Sequence, residues 1–209
     1  MYNLKHKAII LASSSKSRQT LLKNAKIDFV VKRPFVDEES IRDSAIAEKT
    51  TLQECAILLA EIKGRQIALS NTEAFVIASD QILESKGIGF SKPKSLEKAK
   101  IQLRELQGNT HMLHTSVVVF SNGRRIWHHL SSPTVTIRSL TDIEIDDYLK
   151  EIGNEALNTP GCYQIENQGC HIISSFKGSF YDILGIPLLP LLEFLRLHGL
   201  VSTKEIMIS

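Results

Sequence analysis

The sequence predicts an α/β protein in which helices flank a mixed central sheet. Short apolar runs, KAIILA (7–12) and AFVIAS (74–79), alternate with longer segments whose apolar residues recur every three or four positions. Such continuous runs are typical of parallel strands covered on both faces. The dipeptides Lys86-Gly87 and Asn122-Gly123, each between β-prone stretches, add antiparallel hairpins. We therefore expect one domain over residues 1–209, built as two lobes.

Two helices separate the strands predicted in the first half of the chain. Thr51 and Glu54 have the spacing of a capping box, which marks the start of the longer helix. The predicted elements are a strand over 7–12, a helix over 15–25, a strand over 27–33, a helix from 51 to 69 and a strand over 74–79. Pro34 and the acidic stretch VDEES end the second strand. Asp80 follows the last apolar run, so we place it at the end of a buried strand.

The second half is predicted to begin with a hairpin and to end with an apolar helix. Ser95 is placed to cap a helix that Gly108 ends, and Thr141 with Glu144 opens another. The predicted elements are a hairpin over 82–91, a helix from 95 to 108, a hairpin turning at Asn122-Gly123, a helix from 141, a strand over 170–176 and a helix over 187–198.

Composition argues against several classes of protein. The 209 residues are 43% hydrophobic and 23% charged with a net charge of +2, as in an ordinary globular protein. Lysines are spread along the chain, whereas nucleic-acid binders concentrate basic residues, so we expect no nucleic-acid partner. The apolar stretches are shorter than the roughly 18 to 20 residues of a membrane span, and the apolar core at 8–12 is too short for a signal peptide. The odd set Cys55, Cys162 and Cys170 favours a reducing cytoplasm over a disulfide framework.

A serine cluster between the first strand and the first helix is a candidate phosphate site. Ser13 and Ser15 precede a helix N-terminus, where backbone N–H groups and the helix dipole favour an anion. Arg18, one turn later, is placed to give a phosphate a forked pair of hydrogen bonds. Serines that only cap a helix explain this segment more simply. No G-x-x-x-x-G-K-[ST] sequence occurs, which excludes a P-loop enzyme.

Asp80 and two lysines are the remaining candidates. A carboxylate at the carboxyl end of a strand suits Mg²⁺, which takes one or two carboxylates plus phosphate oxygens. The acidic residues at 37–39 are placed to supply the second carboxylate. Lys63 borders the apolar stripe of its helix, and Lys92 follows the hairpin after Asp80, so both are candidates for phosphate. A turn-forming acid and solvated lysines explain the same residues, and the pattern alone leaves both interpretations open.

Four blocks of the sequence resemble the Maf family of nucleoside triphosphate pyrophosphatases. ILASSSKSRQTLL is similar to the family's opening L-A-S-x-S-P-R-R-x-x-L-L, and VDE with LAEIKG resembles its acidic loop and L-A-x-x-K helix. The stretch from VIASDQ to HTSV resembles the central block with its acid, G-K-P and G-x-T-H elements. YQIENQGCHIISSFKGSFYDILGIPL resembles the closing block. The resemblance implies the fold of the inosine triphosphate pyrophosphatases, with two lobes around a cleft.

The resemblance also implies an activity: hydrolysis of a nucleoside triphosphate to the monophosphate and pyrophosphate, which removes non-standard nucleotides from the pool. Carried over by position, the phosphate-binding and catalytic residues of the family fall on Ser13, Arg18, Glu38, Lys63, Asp80 and Lys92. The implied cofactor is Mg²⁺ or Mn²⁺, held by Asp80 and Glu38. The family further implies a homodimer.

Two departures from the family pattern bear on rate and substrate. Ser17 stands where the family often has a second arginine, and the neighbouring Lys16 supplies a charge but no bidentate fork. Gln81 after Asp80, and Glu166 in the closing block, are similar to the branch that favours 7-methyl-GTP. An acid in a base pocket attracts a cationic methylated guanine and accepts its N1 and N2 hydrogens. We therefore expect 7-methyl-GTP as the substrate.

Two other functions stay open at this point. One is the branch of the same family that hydrolyses dTTP and UTP, against which Glu166 argues because glutamine suits a neutral pyrimidine. The other is a non-enzymatic regulator of cell division or septum formation. Such a regulator has no use for the metal and phosphate chemistry that Asp80, Lys63 and Lys92 offer, and it should not show magnesium-dependent stabilisation by nucleotides.

Overall fold

The computed structural model of the chain describes residues 8–201. Within this range, eight strands and seven α-helices form a mixed α/β structure, which confirms the predicted fold class. The strands are β1 (Ile9–Leu11), β2 (Val30–Val31), β3 (Phe75–Ser85), β4 (Ile88–Phe90), β5 (Thr110–Ser121), β6 (Arg124–Ser131), β7 (Thr134–Ile137) and β8 (Ile173–Lys177). The α-helices are α1 (Lys16–Asn24), α2 (Glu38–Ala47), α3 (Leu52–Ala68), α4 (Leu96–Leu106), α5 (Asp142–Ile152), α6 (Phe180–Ile183) and α7 (Leu188–Leu197). Among residues 8–201, none of the helices has the length and hydrophobicity of a membrane-spanning segment.

The sheet has the strand order β2-β1-β3-β5-β7-β8, with β4 paired to β3 and β6 paired to β5. β1 is parallel to β2 and β3, whereas the β3–β4, β5–β7 and β7–β8 pairs are antiparallel. Both residues of Lys86-Gly87 and of Asn122-Gly123 have positive φ, as a two-residue type I′ turn requires. Both predicted hairpin turns are therefore confirmed.

The chain divides into two compact units. Within the described range, the first contains residues 8–80, Thr115–Leu130 and residues 185–201. The second contains Gln81–His114 and Ser131–Leu184. Helices α1, α2, α3 and α7 belong to the first unit, and α4, α5 and α6 belong to the second. The expectation that residues 1–209 form a single domain stays a prediction.

The first unit has a core in which α3 packs very closely on the sheet. Ile10, Val76 and Val118 contribute buried apolar side chains from three strands. Gly64 of α3 lies against Phe120, and a Cβ added at Gly64 would stand 2.7 Å from Phe120 Cε2. The lack of a side chain at Gly64 therefore sets the distance between helix and sheet.

The second unit has its own core, built from β3, β4, α4, α5 and the strands β5 and β7. Leu83, Leu103 and Val135 are among its fully buried residues. Ser95 and Thr141 cap the two helices by accepting hydrogen bonds from Lys98 N and Glu144 N, so both predicted helix starts are confirmed.

Several predicted boundaries were wrong, for reasons that lie outside the local sequence. β3 continues through Asp80 to Ser85, because β4 pairs with it beyond the last residue paired to β1. The second strand comprises only Val30–Val31, and both residues are exposed. The acidic stretch begins a helix, because Asp37 caps α2 by accepting a hydrogen bond from Ser40 N at 3.1 Å. The last strand starts at Ile173, since residues 168–171 form a 3-10 turn.

Candidate active site

Helix α3 carries Lys63 to the interior of the first unit. The helix starts at a capping box in which Glu54 N donates to Thr51 Oγ1 at 3.2 Å and Thr51 N donates to Glu54 Oε2 at 3.0 Å. Lys63 lies three turns further on, beside the close contact at Gly64. Only 8% of Lys63 is exposed, so it lies within the buried face of α3. The sequence pattern had placed it at the border of that face.

Strand β3 carries Asp80 past the point where its parallel neighbour ends. The last residue of β1 pairs with Ile77, and Ala12 N donates to Ile77 O at 2.8 Å. Asp80 lies three residues beyond this pair and is 3% exposed. The prediction that Asp80 ends its strand was wrong, because β3 continues to Ser85, but Asp80 does lie beyond the last residue that β3 pairs with β1. This is the edge at which open α/β sheets bind ligands.

Four charged side chains of the first unit form one cluster around Asp80. Lys63 Nζ donates to Asp80 Oδ1 at 2.5 Å and lies 2.7 Å from Glu38 Oε1. Arg42 Nη2 lies 3.6 Å from Glu38 Oε2 and 3.9 Å from Asp80 Oδ2. The two carboxylates and two cations make the cluster formally neutral. The structure thus brings together three residues that the sequence singled out, and adds Arg42.

Arg42 was missed in the sequence because the acidic stretch was not recognised as a helix. Glu38 and Arg42 are four residues apart, so on α2 they lie on the same face. The sequence signal for this helix is the spacing of four residues between Glu38 and Arg42, directly after Asp37 as the N-cap. Arg42 lies between both carboxylates, which makes it part of the candidate site.

The donor set fits a divalent cation. Asp80 Oδ2 is buried and has no hydrogen-bond partner among residues 8–201, and an oxygen in that state is suited to a metal. Mg²⁺ and Mn²⁺ prefer carboxylate and phosphate oxygens. No group of three or more His, Cys, Asp or Glu side chains that could hold a metal occurs in the described part of the chain. Asp80 and Glu38 are the two carboxylates of this cluster that could hold a metal.

The serine loop that follows β1 is ordered by its own side chains. Ser13 is 5% exposed, and its Oγ accepts hydrogen bonds from Ser15 N at 3.2 Å and from Arg18 Nη1 at 3.4 Å. Ser15 caps α1 by accepting from Arg18 N at 3.4 Å. The loop therefore joins three predicted phosphate-site residues at one helix N-terminus.

Arg18 is held by backbone carbonyls of the first unit. Its Nε donates to Gly185 O at 2.7 Å, and its Nη1 donates to Ser79 O at 2.8 Å. Burial lowers the pKa of the Arg18 guanidinium, while Asp80 and Glu38 oppose that shift. Nε and Nη1 of Arg18 are thus committed to the fold.

The other predicted site residues belong to the second unit and lie on three different elements. Gln81 Nε2 donates to Asp182 O at 3.0 Å and to Ile183 O at 3.2 Å, so its amide nitrogen is tied to α6. Lys92 is exposed in the segment after β4. Glu166 is exposed in the turn that precedes the 3-10 segment at 168–171. Their roles in substrate binding stay predictions.

Comparison with known proteins gives a consistent result. The model of the family described as Maf-like protein matches residues 8–198. The chain is 42% identical to the nucleoside triphosphate pyrophosphatase of Rhodospirillum rubrum over 92% of this chain and 96% of the relative. It is 40% identical to that of Hyphomonas neptunium, over 94% and 98% of the two chains. It is 39% identical to that of Caulobacter vibrioides, over 93% and 97%. The similarity extends over nearly the whole of each protein.

Proposed function

The chain belongs to the Maf-like protein family, and from this premise we propose that it is a nucleoside triphosphate pyrophosphatase that prefers 7-methyl-GTP. The activity is the one named for relatives that are about 40% identical over nearly their full length. Its products are a nucleoside monophosphate and pyrophosphate. The role that follows is removal of non-standard nucleotides from the pool.

The observation that carries the proposal is the charge cluster of Glu38, Arg42, Lys63 and Asp80 beside the serine loop. Arg18 joins these two features, since its Nη1 donates to the carbonyl of Ser79, the residue before Asp80. The candidate phosphate donors and the two carboxylates proposed to hold a metal thus lie at the same end of the parallel strands, which supports the proposal. A triphosphate with a divalent cation needs this combination of groups.

We propose that Asp80 and Glu38 hold Mg²⁺ or Mn²⁺ together with substrate phosphate oxygens. When bound, such an ion neutralises phosphate charge and polarises the phosphoanhydride. The protein's contribution is the pair of carboxylates, which Lys63 keeps in place through its contacts with both. Arg42 lies 3.6 and 3.9 Å from their other oxygens and offsets part of their charge.

The two oxygens of Asp80 differ in their surroundings, and this difference suggests their roles. Oδ1 is bonded to Lys63, whereas Oδ2 lacks a hydrogen-bond partner within residues 8–201. Oδ2 would hold the cation or take the proton of the attacking water, with Glu38 assisting. The water oxygen bonds to the α-phosphorus and the α–β bridging bond breaks. Arg18, Lys63 and Lys92 would neutralise the charge that grows on the phosphate oxygens.

The preference for 7-methyl-GTP depends on Glu166 and Gln81 of the second unit. Methylation at N7 gives guanine a positive charge, which a carboxylate attracts. The same carboxylate accepts hydrogen bonds from N1 and N2, and the side chain of Gln81 supplies a further polar group. A glutamine in place of Glu166 would instead suit a neutral pyrimidine such as uracil or thymine.

The test is release of pyrophosphate from a panel of 7-methyl-GTP, GTP, UTP, dTTP and CTP in the presence of Mg²⁺. We expect selective turnover of 7-methyl-GTP by the wild-type protein and loss of that selectivity in Glu166→Gln. Glu105→Gln, which removes an exposed carboxylate from α4, is the matched control and should keep the wild-type selectivity. Asp80→Asn should abolish turnover of every substrate.

The outcomes separate the three functions that the sequence left open. Preference for UTP or dTTP would keep the enzyme and discard the 7-methyl-GTP proposal. No turnover of any nucleotide, with no magnesium-dependent thermal stabilisation by nucleotides, would favour the non-enzymatic regulator of cell division. Turnover that survives EDTA would overturn the metal requirement.

We also propose that the protein works as a homodimer in the cytoplasm. The family resemblance supports the assembly, and the odd set of three cysteines, all free in the structure, supports a reducing compartment. Light scattering at the assay concentration tests the assembly, and a mass equal to one chain would contradict it.

A further inference from the structure

The second unit contains a serine, a histidine and a glutamate joined by two short hydrogen bonds. His114 Nδ1 lies 2.8 Å from Ser132 Oγ, and His114 Nε2 lies 2.6 Å from Glu84 Oε2. The three residues come from β5, from the link between β6 and β7, and from β3. The proposed pyrophosphatase reaction uses none of them, so their arrangement calls for its own explanation.

The arrangement matches what a nucleophilic serine needs. A base within about 2.6–3.2 Å of the nucleophile, oriented by a third group on its other side, is the common element of Ser-His-carboxylate hydrolases. In the neutral imidazole, the Glu84 carboxylate can only accept from Nε2–H, and the lone pair of Nδ1 then faces Ser132. His114 can therefore accept the hydroxyl proton of Ser132, and Glu84 stabilises the imidazolium that results.

Burial separates the roles of the three residues. His114 is fully buried and the Glu84 side chain is 16% exposed, so their interaction is shielded from water. Ser132 is an exposed residue, whereas its hydrogen-bond partner His114 is buried. The base is thus fixed inside the unit while the nucleophile stands at its surface.

The segment that holds Ser132 is anchored at the next residue, Pro133, by two contacts. Leu113 N donates to Pro133 O at 2.9 Å, which ties the link to β5 next to His114. Gly178 packs against Pro133, where an added Cβ would lie 2.9 Å from Pro133 Cβ. The serine is therefore presented on a rigid support, which is a requirement for a preorganised nucleophile.

We propose that Glu84, His114 and Ser132 form a second hydrolytic site that acts on small carboxylic esters. Ser132 Oγ attacks the carbonyl carbon and its proton passes to His114 Nδ1. The ester C–O bond then breaks, and His114 returns the proton to the departing alcohol, which leaves an acyl group on Ser132. A water molecule, deprotonated by His114, attacks the acyl carbonyl, so that the acid is released and the serine is restored.

The test uses 4-nitrophenyl acetate with the full-length protein, and follows both nitrophenol release and intact mass. We expect one acetyl group on Ser132, located by peptide mapping, and none in Ser132→Ala. Ser131→Ala is the matched control next to it and should be acetylated like the wild type. Glu84→Gln, which keeps the size of the side chain but removes the charge that stabilises the His114 imidazolium, should slow acetylation by up to about 10⁴-fold, as replacement of a triad carboxylate by an amide does.

Folding and the pyrophosphatase are measured on the same variants. Ser132→Ala and Glu84→Gln should keep the wild-type melting temperature within a few degrees and keep pyrophosphate release. Acetylation at the wild-type rate in Glu84→Gln, or ester hydrolysis that survives Ser132→Ala, would overturn the proposal. So would the absence of an acyl adduct on Ser132, which would leave the three residues as a hydrogen-bonded support for β3 and β5.

Discussion

Lys63 Nζ lies 2.5 Å from Asp80 Oδ1, and only 10% of the lysine side chain and 4% of the aspartate side chain are exposed. Removal of one partner of a buried ion pair leaves the other charge without compensation, which costs about 3–5 kcal/mol. The two residues proposed for catalysis are thus also structural. A loss of activity in either variant has meaning only beside a measurement of stability.

The free energy of unfolding should respond to Lys63 and Asp80 as a coupled pair. Lys63→Met should lower it by up to about 3–5 kcal/mol, because the buried carboxylate of Asp80 loses the cation bonded to Oδ1 and keeps the more distant Arg42, at 3.9 Å. Adding Asp80→Asn should restore part of the loss, since the carboxylate charge is then gone. Urea unfolding without nucleotide measures both effects, and a double-mutant cycle gives the coupling.

The matched control for this pair is Lys23→Met, which removes an exposed lysine from α1 and should leave stability within about 0.5 kcal/mol of wild type. Additive effects of Lys63→Met and Asp80→Asn would show that the two charges do not interact. Pyrophosphate release should be lost in Lys63→Met and remain lost in the double variant.

Arg18→Lys should destabilise the protein in the absence of substrate. Lysine keeps the charge but cannot reproduce the fork that joins Gly185 O and Ser79 O. The loss of hydrogen bonds from a charged donor should cost about 1.5–3 kcal/mol. Thermal unfolding without nucleotide measures this cost. Unchanged stability with lost activity would instead confine Arg18 to substrate binding.

The parts of the fold that are determined locally were predictable from the sequence. Helix α3 is capped by Thr51 and Glu54, which are only three positions apart, so their spacing predicts the start of the helix. The two hairpin turns are also local, because positive φ at Asn122-Gly123 is a property of those two residues. The continuation of β3 past Asp80 was not predictable, because it depends on pairing with β4.

The candidate site was predictable in a different way. The residue pattern left Asp80 and Lys63 open between a metal site and a solvated surface, and the family resemblance placed them together. The structure shows the contact between them. His114 lies 30 positions after Glu84 and 18 positions before Ser132 in the sequence, so these three hydrogen-bonded residues form no local sequence motif. Such a cluster exists only through tertiary pairing.

Gly64→Ala should destabilise the first unit by about 1–3 kcal/mol. The added methyl would stand 2.7 Å from Phe120 Cε2 and 3.2 Å from Ala78 Cβ, so α3 or the ring must shift. The destabilisation outweighs the gain in helix propensity, which is about 1 kcal/mol at most. Urea unfolding checks the sign of the change.

A compensating variant tests whether the Phe120 ring is the cause. Phe120→Leu alone replaces the ring with a smaller side chain and should itself lower stability. Combined with Gly64→Ala, it should relieve the clash with the added methyl group. The two changes together should therefore be less destabilising than the sum of their separate effects. If the two effects are additive, the strain in Gly64→Ala does not come from contact with the Phe120 ring.

The stability of the protein should fall as the pH drops from 6.5 to 4, because of His111. His111 is 1% exposed, its Nε2 lies 2.6 Å from the hydroxyl of Tyr163, and burial lowers the pKa of His111 to about 4 from 6.5. Between these values the unfolded chain binds a proton that the folded chain does not. The free energy of unfolding therefore decreases by about 3 kcal/mol across this range and is unaffected above it.

Urea unfolding at intervals from pH 7 to pH 4 measures this dependence, with His111→Gln as the test variant. Glutamine does not titrate, and its amide can bond to the Tyr163 hydroxyl, so the variant should lose most of the slope between pH 6.5 and 4. His171→Gln, at an exposed histidine of the same unit, is the control and should keep the wild-type slope. An equal slope in wild type and His111→Gln would mean that His111 is protonated in the folded protein, and that its burial does not exclude the charge.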